Sequence, residues 1–255
     1  MAYLRDNTSR PSGNAGPEEI IVRSYTRHQL KQDQFTEAAK GTFHWAGEHR
    51  QKLLFGSIAA AVALALGLGI WFYLGYRETR AADALGRAML IYGAPLTGTE
   101  PTSVGPSFAT NAERNKAAHA EFAKVANEFS GVRSGKLARY FSGATALEEG
   151  NTTDAERDLK MVADSSDPDI SSLAKLALAG LYRGSNRQAE AVKLYNQIIQ
   201  KPSRSVPKEA AQLELASLFG ISQPDEARKL YAQIKQENPK GAAGQIAEIR
   251  LQLLK

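Results

Sequence analysis

Apolar and polar positions follow four regimes along this chain. Residues 1–17 are polar, rich in Ser, Asn, Gly and Pro, and show no period, which predicts a disordered tail. Over 18–52 Leu30, Phe35, Ala39, Phe43 and Ala46 recur at three- to five-residue steps, with Lys31, Asp33, Glu37 and Lys40 between them. That spacing predicts an amphipathic helix, which either lies on a membrane surface, docks on a partner or simply leads into the apolar run after it. Residues 53–76 are 24 positions without a charge, bounded by Lys52 and Arg77. Beyond Arg77 the pattern is helical to Tyr92, with Ala82, Leu85, Met89 and Tyr92 on one side. It is interrupted at 93–110 by a segment with three prolines, three glycines and one charge, and is helical again to the end.

At about 1.5 Å per residue the run 53–76 is long enough for a hydrocarbon core of roughly 30 Å. A helix is the one structure that satisfies its backbone there within a single segment. Trp71, Tyr73 and Tyr76 at its far end are rings of the kind that settle at a membrane–water boundary. A cleaved signal fits poorly. The leader is 52 residues, the apolar run is too long, and the small-x-small triplet Ala82-Asp83-Ala84 lies beyond Arg77 and Arg80. The run predicts an uncleaved anchor, a single membrane span in contact with lipid. Lys and Arg near its two ends balance, so the short basic tail decides orientation: N-terminus in the cytoplasm, C-terminal domain outside. Ala59, Ala63 and Gly67 form a ladder of small residues on which a second helix could pack, although an Ala-rich span produces such ladders by chance.

From residue 111 the chain alternates helical pattern with short turns, about eight helices in all and no strand pattern. Turn signals fall at Ser130-Gly131, Gly150-Asn151, Ser166-Asp167-Pro168, Gly184-Ser185-Asn186, Pro202, Gln223-Pro224 and Asn238-Pro239-Lys240-Gly241. Short connections of this kind make antiparallel helix pairs. Within the pattern lies a repeat. Residues 190–198 read EAVKLYNQI and residues 226–234 read EARKLYAQI, identical at seven of nine positions and 36 apart. Weaker copies place Ala155, Leu159 and Val162, and before them Ala118, Phe122 and Val125, at the matching positions. The fold class predicted is all-α: one transmembrane helix followed by an α-solenoid of antiparallel helix pairs over 77–255, with a flexible insertion at 93–110.

The register resembles that of tetratricopeptide repeats, which carry a small residue on the first helix, a turn, then Ala and a large apolar side chain on the second. Gly143, Gly150, Ala155 and Leu159 fit it. So do Ala179, Tyr182, Ala191 and Tyr195, and again Ala216, Phe219, Ala227, Tyr231 and Pro239. A short tail, an amphipathic pre-helix, one span and such a domain together resemble the YfgM-type ancillary subunits of the bacterial SecYEG translocon. That resemblance implies an inner-membrane protein with a periplasmic domain. Its implied partners are translocon subunits, periplasmic chaperones or client polypeptides, and its implied role is to assist secreted-protein translocation or folding. It also implies that first helices line a groove, at or near which Tyr140, Leu147, Leu173, Leu176, Arg183, Leu213 and Ser217 would bind partners. The leucines have an equally ordinary use in closing the core between helices.

Composition narrows the rest. The net charge of +5 divides into +2 before the span and +3 after it, with no basic stripe for nucleic acid. The absence of cysteine removes disulfides, thiolate metal sites and Cys nucleophiles. Of four histidines, His28, His44 and His49 precede the span and His119 follows it. Gly135-Lys136 lacks the flanking residues of a phosphate loop and predicts a helix start. The acidic pairs Glu148-Glu149 and Asp167-Asp169 sit at turns, where capping and solvation are their ordinary roles. The sequence therefore predicts no catalytic, cofactor or metal site and no small-molecule substrate. Competing readings are a scaffold for another envelope machine, in division or outer-membrane assembly, and a regulatory subunit of a membrane enzyme.

Overall fold

The computed structural model describes residues 50–97 and 105–254. The tail 1–17, residues 18–49 of the amphipathic helix expected over 18–52, and the centre of the 93–110 insertion lie outside the described residues. The chain divides into two units at Leu66/Gly67. Nine helices occur among the described residues: α1 (Arg50–Tyr92), α2 (Asn111–Glu128), α3 (Arg133–Glu148), α4 (Thr152–Ala163), α5 (Pro168–Gly184), α6 (Gln188–Gln200), α7 (Lys208–Ser222), α8 (Pro224–Glu237) and α9 (Ala242–Leu253). No named strand occurs among them, only an isolated bridge between Leu96 and Phe108. The architecture is an all-α, tetratricopeptide-like solenoid with a long apolar helix at its start, eight helices following residue 110.

Helix α1 runs unbroken through the boundary expected at residues 76 and 77. Its apolar stretch is long and apolar enough to cross a membrane and is unburied. Past Arg77 the same helix changes role. Ala81, Leu85 and Ala88 are buried against Ala118, Phe122, Val125 and Ala126 of α2, so its last turns act as the first helix of the first pair. Each later connection falls on a turn signal of the sequence, and its local chemistry is visible. Thr110 caps α2 by accepting the Glu113 N–H at 3.1 Å, while the Glu113 carboxylate accepts the Ala109 N–H at 3.2 Å. Asn151 caps α4 through the Asp154 N–H at 3.2 Å. Asp167 caps α5 by accepting from Asp169 and Ile170 at 2.9 and 3.1 Å, with Pro168 in the first helical turn.

The second helices carry the core. Ala118/Phe122/Val125, Ala155/Leu159/Val162, Ala191/Tyr195/Ile198 and Ala227/Tyr231/Ile234 are all buried. The alanine brings the two helices of a pair close together, and the larger side chain one turn on fills the space beside it. Gly143, Ala179 and Ala216 face them from the first helices. A methyl built on Gly143 would lie 2.7 Å from Leu159 Cγ and 3.3 Å from the Ala155 carbonyl oxygen.

The separation between first-helix and second-helix crossing residues is 12 for Gly143–Ala155 and Ala179–Ala191 but 11 for Ala216–Ala227, and the turns account for the change. The turns after α3 and α5 each contain one residue with positive φ, Gly150 at 78° and Asn186 at 60°, a left-handed step that Gly and Asn adopt most readily. Between α7 and α8 the connection is Gln223 alone, at φ −145°. The left-handed residue is missing there, and the helix pair closes one residue sooner.

Polar groups lock the first pairs together. Asp158, fully buried, accepts from Ser142 Oγ at 2.6 Å and Arg157 Nε at 3.1 Å, and lies 3.5 Å from Arg139, whose other nitrogen donates to Asn127 at 2.6 Å. A buried charge is tolerable only when partnered to this degree. The described ends of the 93–110 insertion are tied to one another. Thr97 N–H donates to the Phe108 carbonyl at 2.8 Å, and Phe108 N–H to that of Pro95 at 3.3 Å.

Candidate protein-interaction site

The groove residues expected from the repeat register all sit on first helices. On α3, Tyr140 and Leu147 are half-buried and pack against the cluster containing Ala146, Leu178 and Tyr182. The Tyr140 ring meets Phe141 edge-on at 5.1 Å, and burial raises the pKa of its phenol. Phe141 continues the contact by stacking on Phe122 at 5.2 Å. On α5, Leu173 and Leu176 are half-buried against Ile198, Val206 and Ala211. Leu213 of α7 is half-buried against Ala216 and Tyr231. These leucines close the space between neighbouring helices and keep part of their surface open.

Arg183 and Ser217 are exposed. Arg183 Nη1 meets Glu214 Oε2 at 2.9 Å, an ion pair that links α5 to α7. Such a pair between half-exposed side chains contributes little stability and leaves both groups accessible. The structure thus joins Arg183 to α7 through Glu214, and Leu173 to Leu176 in one cluster. It shows no single contact uniting all seven. Ala59, Ala63 and Gly67 are exposed on α1, and a methyl on Gly67 would meet nothing within 4 Å.

Ser217, expected at the groove, lies one residue after a crossing position, and Ala144 and Gly180, which were not expected there, hold the same place. Ala144, Gly180 and Ser217 form a second row, on α3, α5 and α7, of small side chains only. Gly180 is exposed, and a methyl there would meet nothing within 4 Å. The three positions lie beside the half-buried row Tyr140, Leu176 and Leu213. The signal was present in the sequence, because the second row is the first displaced by one.

Elsewhere the polar clusters have structural uses. Glu148 accepts from Tyr92 Oη and Asn115 Nδ2, each at 2.8 Å, and His119 Nδ1 lies 3.2 Å from Glu149. Glu148 is exposed, as expected of a residue at a turn, and also braces α1, α2 and α3. The bond to Glu148, followed by burial, raises the Tyr92 pKa. Asp167, expected to cap, does so. Burial opposes its charge, but the Ile170 N–H and Arg133, 2.7 Å away, hold its carboxyl below the ordinary value. Glu156 accepts from Lys160 at 2.6 Å, from Arg187 at 2.9 Å and from Tyr182 at 3.0 Å. Gly135 does lie at a helix start, in the first turn of α3, for a steric reason. A methyl on it would fall 1.8 Å from the Phe129 carbonyl oxygen. Among the described residues no three His, Cys, Asp or Glu side chains converge as a metal site.

A family model described as a tetratricopeptide repeat-like domain matches residues 44–255, and the chain belongs to that family. No curated protein and no solved structure matches the chain. Tetratricopeptide-like domains mediate protein–protein interaction and are typically scaffolds rather than enzymes.

Proposed function

We propose that this chain is a single-pass protein of the bacterial inner membrane, its tail in the cytoplasm and its tetratricopeptide-like domain in the periplasm. There it holds segments of other proteins close to the bilayer. The observation that carries this reading is the pairing, on α3, α5 and α7, of a half-open apolar row with a row of small residues. Tyr140, Leu176 and Leu213 offer apolar surface, and Ala144, Gly180 and Ser217 let a peptide backbone approach. That combination suits extended, partly unfolded polypeptide better than a charged peptide tail. Polypeptide emerging at the Sec translocon has this character, and the overall organisation resembles ancillary translocon subunits. We therefore place the protein beside the translocon, with periplasmic chaperones as its other partners.

Protease added to spheroplasts is expected to digest the domain and leave the tail intact. Purification in mild detergent after cross-linking is expected to retain translocon subunits. Division or outer-membrane assembly proteins in their place would move the scaffold to another machine. The site itself is tested by Tyr140→Ala combined with Arg183→Ala in the full chain. The variant should keep its helical circular dichroism and lose capture of a non-native client, since aromatic and Arg side chains dominate binding surfaces. Undiminished capture by the folded variant would place binding on another face.

A further inference from the structure

The two residues just beyond the apolar run hold the corner between α2 and α3. Arg77 donates to the carbonyl of Glu128, the last residue of α2, and its guanidinium lies 5.6 Å from the Phe129 ring and 5.9 Å from that of Tyr73. Glu78 accepts both the N–H of Ser134, at 3.2 Å, and its hydroxyl, at 2.6 Å, in the first turn of α3. Adjacent residues of α1 therefore fasten the end of one helix and the beginning of the next. The corner is thereby fastened to α1 directly beyond the apolar run.

Its height along α1 is set by the same contacts. A cleft of about 700 Å³ is walled on one side by Trp71, Phe72, Leu74 and Tyr76, and on the other by Gly131 and Val132. Glu78 and Thr79 also line it. From Trp71 to Glu78 the helix rises about 10 Å at about 1.5 Å per residue. The corner therefore descends beside the last turns of the run, below its first charged residue. The apolar wall is open to its surroundings, with Trp71 and Phe72 73% and 74% exposed. Exposed apolar surface of this extent marks contact with a partner or a membrane. Rings at the end of an apolar helix settle at headgroup level, and Arg80, 6.0 Å from the Tyr76 ring, adds a cation there. The groove is continuous with the apolar helix itself, so whatever surrounds that helix reaches the groove without an opening step.

We propose that the α2–α3 corner is a membrane-contact surface. It is seated among the headgroups of the bilayer, and phospholipid fills the cleft between it and Trp71–Tyr76. This rests on the reading of 53–76 as a span. It adds that the interaction domain is held against the membrane rather than tethered above it.

The chain has no cysteine, and a side chain at Gly131 would meet nothing within 4 Å. Single-site labelling is therefore clean. Full-length Gly131→Cys and Ala59→Cys proteins are labelled with bimane and reconstituted in phosphatidylcholine/phosphatidylglycerol vesicles. Three quenchers are compared: a nitroxide on the lipid headgroup, a nitroxide near the bilayer centre on the acyl chain, and aqueous iodide. At position 131 the headgroup nitroxide should quench several-fold more than the other two. At position 59 the acyl-chain nitroxide should dominate. If position 59 behaves so while position 131 responds only to iodide, the corner stands in water and the proposal is overturned with the span intact. If position 59 also responds only to iodide, the span reading fails, and the proposal with it.

Discussion

Three glycines on first helices make a graded test of the helix packing. Replacing a helical glycine by alanine gains about 1 kcal/mol of propensity, so any loss must come from what the new methyl meets. At Gly135 it meets backbone: the Phe129 carbonyl oxygen at 1.8 Å and its carbon at 2.4 Å. Ordinary contact begins near about 3.5 Å, so the α2–α3 turn must open by roughly 1.5 Å. That movement disturbs the Val132 N–H to Phe129 bond of 3.2 Å and the Glu78 clasp on Ser134. Overpacking typically costs about 1–3 kcal/mol, and more where backbone must move. We expect Gly135→Ala to lose about 2–3 kcal/mol net, which lowers the melting temperature of a domain this size by about 4–12 °C. At Gly143 the obstacle is the side chain of buried Leu159, 2.7 Å away, which can adjust in part. There an overpacking cost of about 2 kcal/mol set against the gain leaves a net loss of about 1 kcal/mol. At Gly180 the methyl meets nothing within 4 Å, and Gly180→Ala should raise stability by about 0.5–1 kcal/mol. Thermal melts of the full chain in detergent, followed by far-ultraviolet circular dichroism, give all three values. A Gly135→Ala protein that melts with or above the parent would refute the packing described for the α2–α3 turn.

Two further predictions concern the core and Glu156. Ala227→Leu overpacks the α7–α8 crossing, where Ala227 and Ala216 are both fully buried, and should cost about 1–3 kcal/mol. An unchanged melt would mean that the repeat register is wrong. The Glu156 carboxyl is held at about 2, first by its bond to Lys160 and then, against burial, by Arg187 and Tyr182. A depressed carboxyl stabilises the fold fully above its unfolded value and loses that stabilisation as pH falls toward its folded value. Melting temperatures should therefore drop between pH 4.5 and about 2, and Glu156→Gln should flatten part of the drop. Parallel curves for parent and variant would show that Glu156 carries none of it.

Several helix ends were legible in the sequence because they rest on local chemistry. Asp167 followed by Pro168, Asn151, and the lone Gln223 before Pro224 mark boundaries without help from the rest of the fold. The buried second-helix residues were legible too, since Ala191, Tyr195 and Ile198 recur as Ala227, Tyr231 and Ile234. Long-range contacts were not. Nothing in the spacing of Glu78 and Ser134, 56 residues apart, indicates that one caps the other. Glu148 is exposed, but its bonds to Tyr92 and Asn115, brought to it by α1 and α2, have no sign in the sequence. Gly135 likewise looks like an ordinary helix-start residue, because its constraint comes from a carbonyl in the preceding turn. In the candidate site the row of Ala144, Gly180 and Ser217 could be read from the sequence by displacing the crossing positions by one residue, but their exposure could not: Ala144 is half-buried, whereas Gly180 and Ser217 are exposed.

The matched joints of the solenoid bear on how such a chain can change length. Helices α6 and α8 present the same buried set, 36 residues apart, to first helices that carry alanine at the crossing. Removing residues 188–223, one whole period, would bring Ala227, Tyr231 and Ile234 to the places left by Ala191, Tyr195 and Ile198, with α9 still closing the end. Copies of one joint are interchangeable parts, so the domain can be shortened or extended in steps of a repeat without composing a new core each time. Reach along a bound polypeptide is then a property that duplication and excision alone can adjust.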